Sequence, residues 1–213
     1  FPVVSGNVSF YNETNAKSIF PTPVIGGIGV LNNLKKIMNI KTKKPGNLIM
    51  VIGKTFGHLN QSAFLQENFS ICDGPPPEIN LINEKNNGLA ILKLIKENFI
   101  LSVHDISSGG ILLSLTEMSM ASKLGLKIYK PKKLINPLEY FFGEDQGRYL
   151  VEIEKNNLNK IDNFLKKNNI FGEVVAEVQN DIFEIEKTFS FNIQDFCNYN
   201  NQWYYKYNAV GKK

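Results

Sequence analysis

Three short stretches of this 213-residue chain combine polar side chains in patterns that could do chemistry. In Gly6-Asn7-Val8-Ser9, read as a strand, Asn7 and Ser9 project to one face and Val8 to the other. That face offers an amide oxygen to a hard cation and a hydroxyl to a phosphate or amide. An ordinary polar strand face reads the same way. His104-Asp105-Ile106-Ser107-Ser108-Gly109-Gly110 runs from a strand through a polar turn into a helix. A helix start leaves backbone N–H groups for an anion, with Asp105 beside it as a Mg²⁺ ligand. The competing account is a plain N-cap, preferred here for Ser107 and Ser108, while Asp105 stays open between the two roles.

Glu144-Asp145-Gln146 lies between Gly143 and Gly147, ahead of Arg148, and concentrates carboxylate, amide and guanidinium groups in one loop. It reads as a ligand loop or, more simply, as a surface turn with an ion pair of little energetic weight. His58 has no partner at ligand spacing and reads as a loop histidine. The chain has no phosphate-binding Gly-x-x-x-x-Gly-Lys-Ser/Thr loop, no Gly-x-Ser-x-Gly elbow and no histidine pair on a helix.

Strands and helices alternate around these stretches. The apolar text begins abruptly at Phe1, so a strand over Phe1–Phe10 is expected to belong to a sheet completed by upstream sequence. A second strand is expected over Thr22–Leu31, and the polar stretch Asn32–Gly46 marks a domain boundary. Beyond it the pattern predicts strands at Leu48–Ile52, Ile100–Val103, Leu126–Tyr129, Arg148–Glu154, Glu173–Val178 and Asp181–Lys187. Helices are expected near Ser62–Glu67, over Leu81–Asn98, from Gly110 to about Lys123, near Pro137–Phe142 and over Leu158–Asn168. An aromatic-rich segment, Phe191–Tyr207, closes the chain without a clear period. The fold class is α+β, with layered helices on a mixed sheet.

Composition excludes several functions. At 43% apolar and 21% charged residues the text is that of an ordinary globular protein. Its apolar runs are too short for a membrane helix, and a cytoplasmic protein is expected. The net charge of +4 comes from scattered lysines without aromatic interleaving, so no nucleic-acid partner is expected. Cys72 and Cys197 lie too far apart for a CxxC site and read as buried thiols.

Two longer segments carry a family resemblance. Pro2-Val3-Val4-Ser5-Gly6-Asn7-Val8-Ser9-Phe10-Tyr11-Asn12-Glu13-Thr14 and Pro21-Thr22-Pro23-Val24-Ile25-Gly26 resemble the later half of the phosphoribosylformylglycinamidine synthases. Val103–Gly110 is similar to the family's His-Asp-x-Ser-x-Gly-Gly segment, and Phe142–Tyr149 to its Gly-Glu-x-x-Gly-Arg loop. These two recur across a superfamily that includes aminoimidazole ribonucleotide synthetase, so the narrower identity rests on the first two dozen residues.

The resemblance implies the aminoimidazole ribonucleotide synthetase-like fold. Residues 1–38 would be the tail of the second N-terminal-type, ATP-binding domain and residues 39–213 the second C-terminal-type α/β domain. It implies ATP-dependent amidation of formylglycinamide ribonucleotide by glutamine-derived ammonia in purine biosynthesis, with Mg²⁺ beside the phosphates. Gly6 would contact ATP, Asn7 bind Mg²⁺ and Ser9 contact the ribonucleotide. Asp105, Glu144, Asp145 and Gln146 would line a second, pseudo-symmetric site. Asp145 stands where the family's first-half loop has Ser, and a carboxylate there repels a phosphate unless a cation intervenes. The family's catalytic histidines belong to its N-terminal part, so this chain alone is expected to be inactive. Its partners would be that N-terminal portion, a glutaminase and small accessory subunits, and the ending at Lys213 favours a separate glutaminase. Two other readings are a non-catalytic nucleotide-binding scaffold and a sister enzyme such as aminoimidazole ribonucleotide synthetase.

Overall fold

The computed structural model describes residues 2–8, 12–19, 22–131 and 135–210, and they fall into two units, Phe1–Lys35 and Lys36–Lys213. The strands described in the first unit are a hairpin of β1 (Glu13–Thr14) and β2 (Lys17–Ser18), and a 3-10 turn at Leu34–Lys36 lies at its end. Asn15 and Ala16 both take positive φ, 52° and 58°, the backbone of the tight turn that matches strand twist. Ile19 N–H donates to Asn12 C=O at 2.9 Å and extends the ladder.

The expected strands at 1–10 and 22–31 do not form among the described residues, where 2–8 and 22–31 carry no regular secondary structure. Their text is strand-like, but a strand holds only when a neighbour takes up its N–H and C=O groups. Val3, Val4, Val24 and Ile28 stand exposed as a result. Ser9 and Phe10 lie outside the described residues.

The second unit is a seven-stranded sheet with helices on both faces. Its elements are β3 (Leu48–Ile52), α1 (Ala63–Phe69), α2 (Leu81–Lys96), β4 (Ser102–Asp105), α3 (Gly110–Ser122), β5 (Leu126–Ile128), α4 (Pro137–Phe142) and β6 (Tyr149–Ile153). Then follow α5 (Leu158–Lys167), β7 (Gly172–Val178), β8 (Ile182–Ile185), β9 (Phe189–Asn192) and α6 (Ile193–Val210). The strand order is β4-β6-β3-β7-β5-β8-β9, antiparallel except for the parallel β5–β8 pair, hence mixed.

Burial on both faces explains why β3 reads as an unbroken apolar run. Ile49 and Val51 pack with Ile111, Leu115 and Met118 of α3, while Met50 and Ile52 pack with Leu94 of α2 and Leu165 of α5. The helix starts are written locally. Asn80 accepts from Asn83 N–H at 3.0 Å to open α2, and Asn136 accepts from Leu138 N–H at 2.9 Å with Pro137 at the first position of α4.

Elements of the second unit also depart from expectation, β8 among them, which forms at Ile182–Ile185 within the expected Asp181–Lys187. β4 begins at Ser102 rather than Ile100, because its pairing with β6 sets Ser102 opposite Glu152 and Asp105 opposite Tyr149. The terminal aromatic segment forms β9 and α6, with Ile193 and Cys197 seated on the core.

Candidate functional site

The loop joining α4 to β6 organises the site from inside. Arg148 is only 1% exposed. Its Nε donates to Asp145 C=O at 3.1 Å, Nη2 to Gly143 C=O at 2.6 Å and Nη1 to Thr55 Oγ1 at 3.1 Å. The Asp145 carboxylate lies 3.6 Å from Nη1 and accepts backbone N–H groups of Phe56 (2.9 Å), Gly57 (3.0 Å) and His58 (3.2 Å). Burial pulls the Arg148 guanidinium below its ordinary value, and the Asp145 carboxylate opposes that shift.

Glu144 also turns inward. Its Oε1 accepts the N–H of Ala63, at the start of α1, and that of Gly109, just before α3, each at 2.8 Å. Gly110 follows with φ +66°, and a Cβ there would sit 2.7 Å from the carbonyl oxygens of Phe141 and Gly143. Only glycine lets the α3 start press against this loop. The loop is therefore a buried junction of Thr55–His58, α1 and α3, and not the surface turn that was the simpler expectation.

Gln146 alone of the three loop residues points outward. It lines a cavity of about 340 Å³ together with Glu84, Asp105, Ser107 and Tyr149. Asp105 is 71% exposed by side chain and faces this space from the end of β4. Burial first, and then the carboxylates of Glu84 and Asp105, push the Tyr149 phenol up. The rim is thus negative, which disfavours a bare phosphate and favours a cation or a cation with its phosphate. Its oxygen donors suit Mg²⁺. Among the described residues no cluster of three or more His, Cys, Asp or Glu side chains could hold a metal, so an ion here would take most of its ligands from water or phosphate.

A second cavity, of about 440 Å³, adjoins the first across Glu84 and Gln146, which line both. Lys54, Phe56 and the N-terminal turn of α2 form its walls. His58 borders it with Nε2 bonded to Pro75 C=O at 2.9 Å, holding the proline turn.

The structure brings Asp105, Glu144 and Gln146 to one cavity while Asp145 turns toward Thr55–His58. Gly6 and Asn7 belong to the first unit, in a segment without regular secondary structure, and Ser9 lies outside the described residues. Sequence reasoning missed Glu84, Tyr149 and the contact of His104 with Glu117. The only signal for Glu84 was an acidic residue in the first turn of an amphipathic helix.

Among the described residues no helix is long and apolar enough to cross a membrane. Comparison with known proteins gives a consistent result. The family described as AIR synthase related protein, C-terminal domain, matches residues 44–186. The phosphoribosylformylglycinamidine synthase subunit PurL of Pelagibacter ubique is 45% identical over 97% of this chain, which spans 28% of that relative's length. Three solved Thermotoga maritima structures share the fold. PurL complexed with FGAR has TM-score 0.64 at 20% identity, over 77% of this chain and 30% of that one. PurL complexed with ATP has 0.61 at 19%, over 77% and 28%. PurLQS has 0.59 at 22%, over 76% and 27%. With the match running from the approach to β3 through β8, the chain belongs to the AIR synthase related family and carries its C-terminal domain.

Proposed function

We propose that this chain is part of a cytoplasmic phosphoribosylformylglycinamidine synthase of purine biosynthesis, an ATP-dependent C–N ligase. Residues 1–38 supply the tail of its second N-terminal-type domain and residues 39–213 its second C-terminal-type domain. The observation that carries this reading is the 45% identity to a PurL subunit across nearly the whole chain. The intact enzyme converts formylglycinamide ribonucleotide, ATP and glutamine-derived ammonia into formylglycinamidine ribonucleotide, ADP and phosphate. ATP phosphorylates the amide oxygen, which ammonia then displaces.

In this reading Gly6 contacts ATP, Asn7 holds Mg²⁺ and Ser9 contacts the ribonucleotide. Bound Mg²⁺ supplies positive charge against the phosphates. At the second site Asp105 and Gln146 face the ligand, joined by Glu84, while Glu144 and Asp145 hold the shape of the cavity. Glutaminase and small accessory subunits deliver the ammonia, a reading supported by the solved PurLQS assembly of a fold relative.

The test measures ADP release from ATP with formylglycinamide ribonucleotide, Mg²⁺ and ammonium, first with this chain alone and then with the N-terminal portion added. Activity only on mixing, lost in Asn7→Ala, is the expected result. Inactivity of both the mixture and the full-length protein would overturn the assignment.

A further inference from the structure

We infer that His104, backed by Glu117, is a positioning residue that aims the Asp105 carboxylate into the smaller cavity. The inference rests on the reading above that this cavity takes a divalent cation with phosphate. Among the described residues, His104 Nδ1 is the one buried side-chain nitrogen or oxygen without a hydrogen-bond partner. Buried polar atoms are nearly always paired, so a lone one asks for a reason. Nδ1 lies 3.4 Å from Asp105 Oδ1, within ion-pair range but not hydrogen-bonded. At the other end of the ring, Nε2 meets Glu117 Oε2 at 2.8 Å.

The two ends differ in freedom. The His104 side chain is 14% exposed and is clamped against α3 by Glu117, whereas Asp105 is largely in solvent at the end of the outermost strand. Successive strand residues point to opposite faces. The His104–Asp105 contact therefore wraps around the open end of β4, linking α3 on one face to the cavity beside β6 on the other. An exposed aspartate on its own samples several rotamers. Because Glu117 accepts from Nε2–H, the ring attracts Oδ1 when Nδ1 carries a proton as well; that attraction narrows the set and leaves Oδ2 for a cation.

The test uses the 213-residue chain with Mn²⁺ as probe, its free concentration read by electron paramagnetic resonance. Asparagine places its amide where histidine has Nδ1, and glutamine places it where histidine has Nε2. Asp105→Asn is expected to abolish Mn²⁺ binding, His104→Gln to weaken it about tenfold and His104→Asn to leave it within about threefold of the parent. A purely structural role for the ring, through Glu117, gives the reverse order and overturns the inference, as does parent-like binding by His104→Gln. If His104→Gln does not fold, His104→Leu serves instead, compared with Glu117→Gln: weaker binding in the first with parent-like binding in the second supports the link, and parent-like binding by His104→Leu overturns it. If the parent chain binds no Mn²⁺, or Asp105→Asn binds as well as the parent, the reading of the cavity fails and the inference falls with it.

Discussion

The carboxylate of Asp145 joins three consecutive backbone N–H groups, from Phe56 to His58, to the buried guanidinium of Arg148. A position that reads as a phosphate-facing loop is thus the internal pin of the α4–β6 connection. Asp145→Ala strands a buried cation and three donors, at a cost of about 3–5 kcal/mol. Urea unfolding of the purified variant checks the value, and a loss under about 1 kcal/mol would contradict the assigned role.

Glu144 contributes at smaller scale. Its Oε1 is shared by the N–H groups of Ala63 and Gly109, so Glu144→Gln keeps an acceptor but loses the charge. The expected loss is about 1–2 kcal/mol. Hydrogen exchange should report it locally, with amides in the first turn of α1 opening faster and those of β3 unchanged.

Gly110→Ala tests the close approach of α3 to the loop. The positive φ alone costs about 1–2 kcal/mol, and a Cβ 2.7 Å from two carbonyl oxygens adds to it. A cost above 2 kcal/mol is expected from thermal or urea unfolding, whereas Gly46→Ala, with φ +89° and open space around it, should show only the backbone part.

A pH effect follows from Glu177. Its carboxylate accepts from Lys155 Nζ at 2.8 Å and from Tyr129 Oη at 3.2 Å. The Lys155 bond first of all, against the opposing effect of burial, holds it below the usual carboxylate range. A carboxylate whose pKa is lowered by folding stabilises the fold above its unfolded value and loses that stabilisation as pH falls through the folded one. The difference between the parent and Lys155→Met should therefore be present at neutral pH and shrink below about pH 4. At this partly exposed pair it should not exceed about 1 kcal/mol, read from unfolding curves across the range.

Much of the second unit is legible in the residues. Leu48–Ile52 is apolar throughout because both faces are covered, and Asn136-Pro137 with Gly143 bounds α4 at the expected residues. Boundaries differ where apolar text runs past the strand, as at Ile100 ahead of β4. α6 was not legible because its aromatic residues lie on both covered and open sides, with Phe196 on the core and Tyr199 and Trp203 exposed. At the site, residue types and glycine spacing pointed to loops that the structure gathers around one cavity. The inward turn of Glu144 and Asp145 was not readable, since it depends on backbone N–H groups supplied by Phe56–His58, Ala63 and Gly109. Glu84 reaches the cavity from α2, and no local pattern announces a contact made over that separation.

The partition between the two cavities also bears on ligand length. Among the described residues only Glu84 and Gln146 border both chambers, and Gln146 is exposed. The two side chains are thus all that the cavities share, and the shape of the space along this face depends on them. Substitution of exposed Gln146 by glycine or by a bulky aromatic should therefore lengthen or shorten the reach along this face, with Glu84 left as the other shared wall.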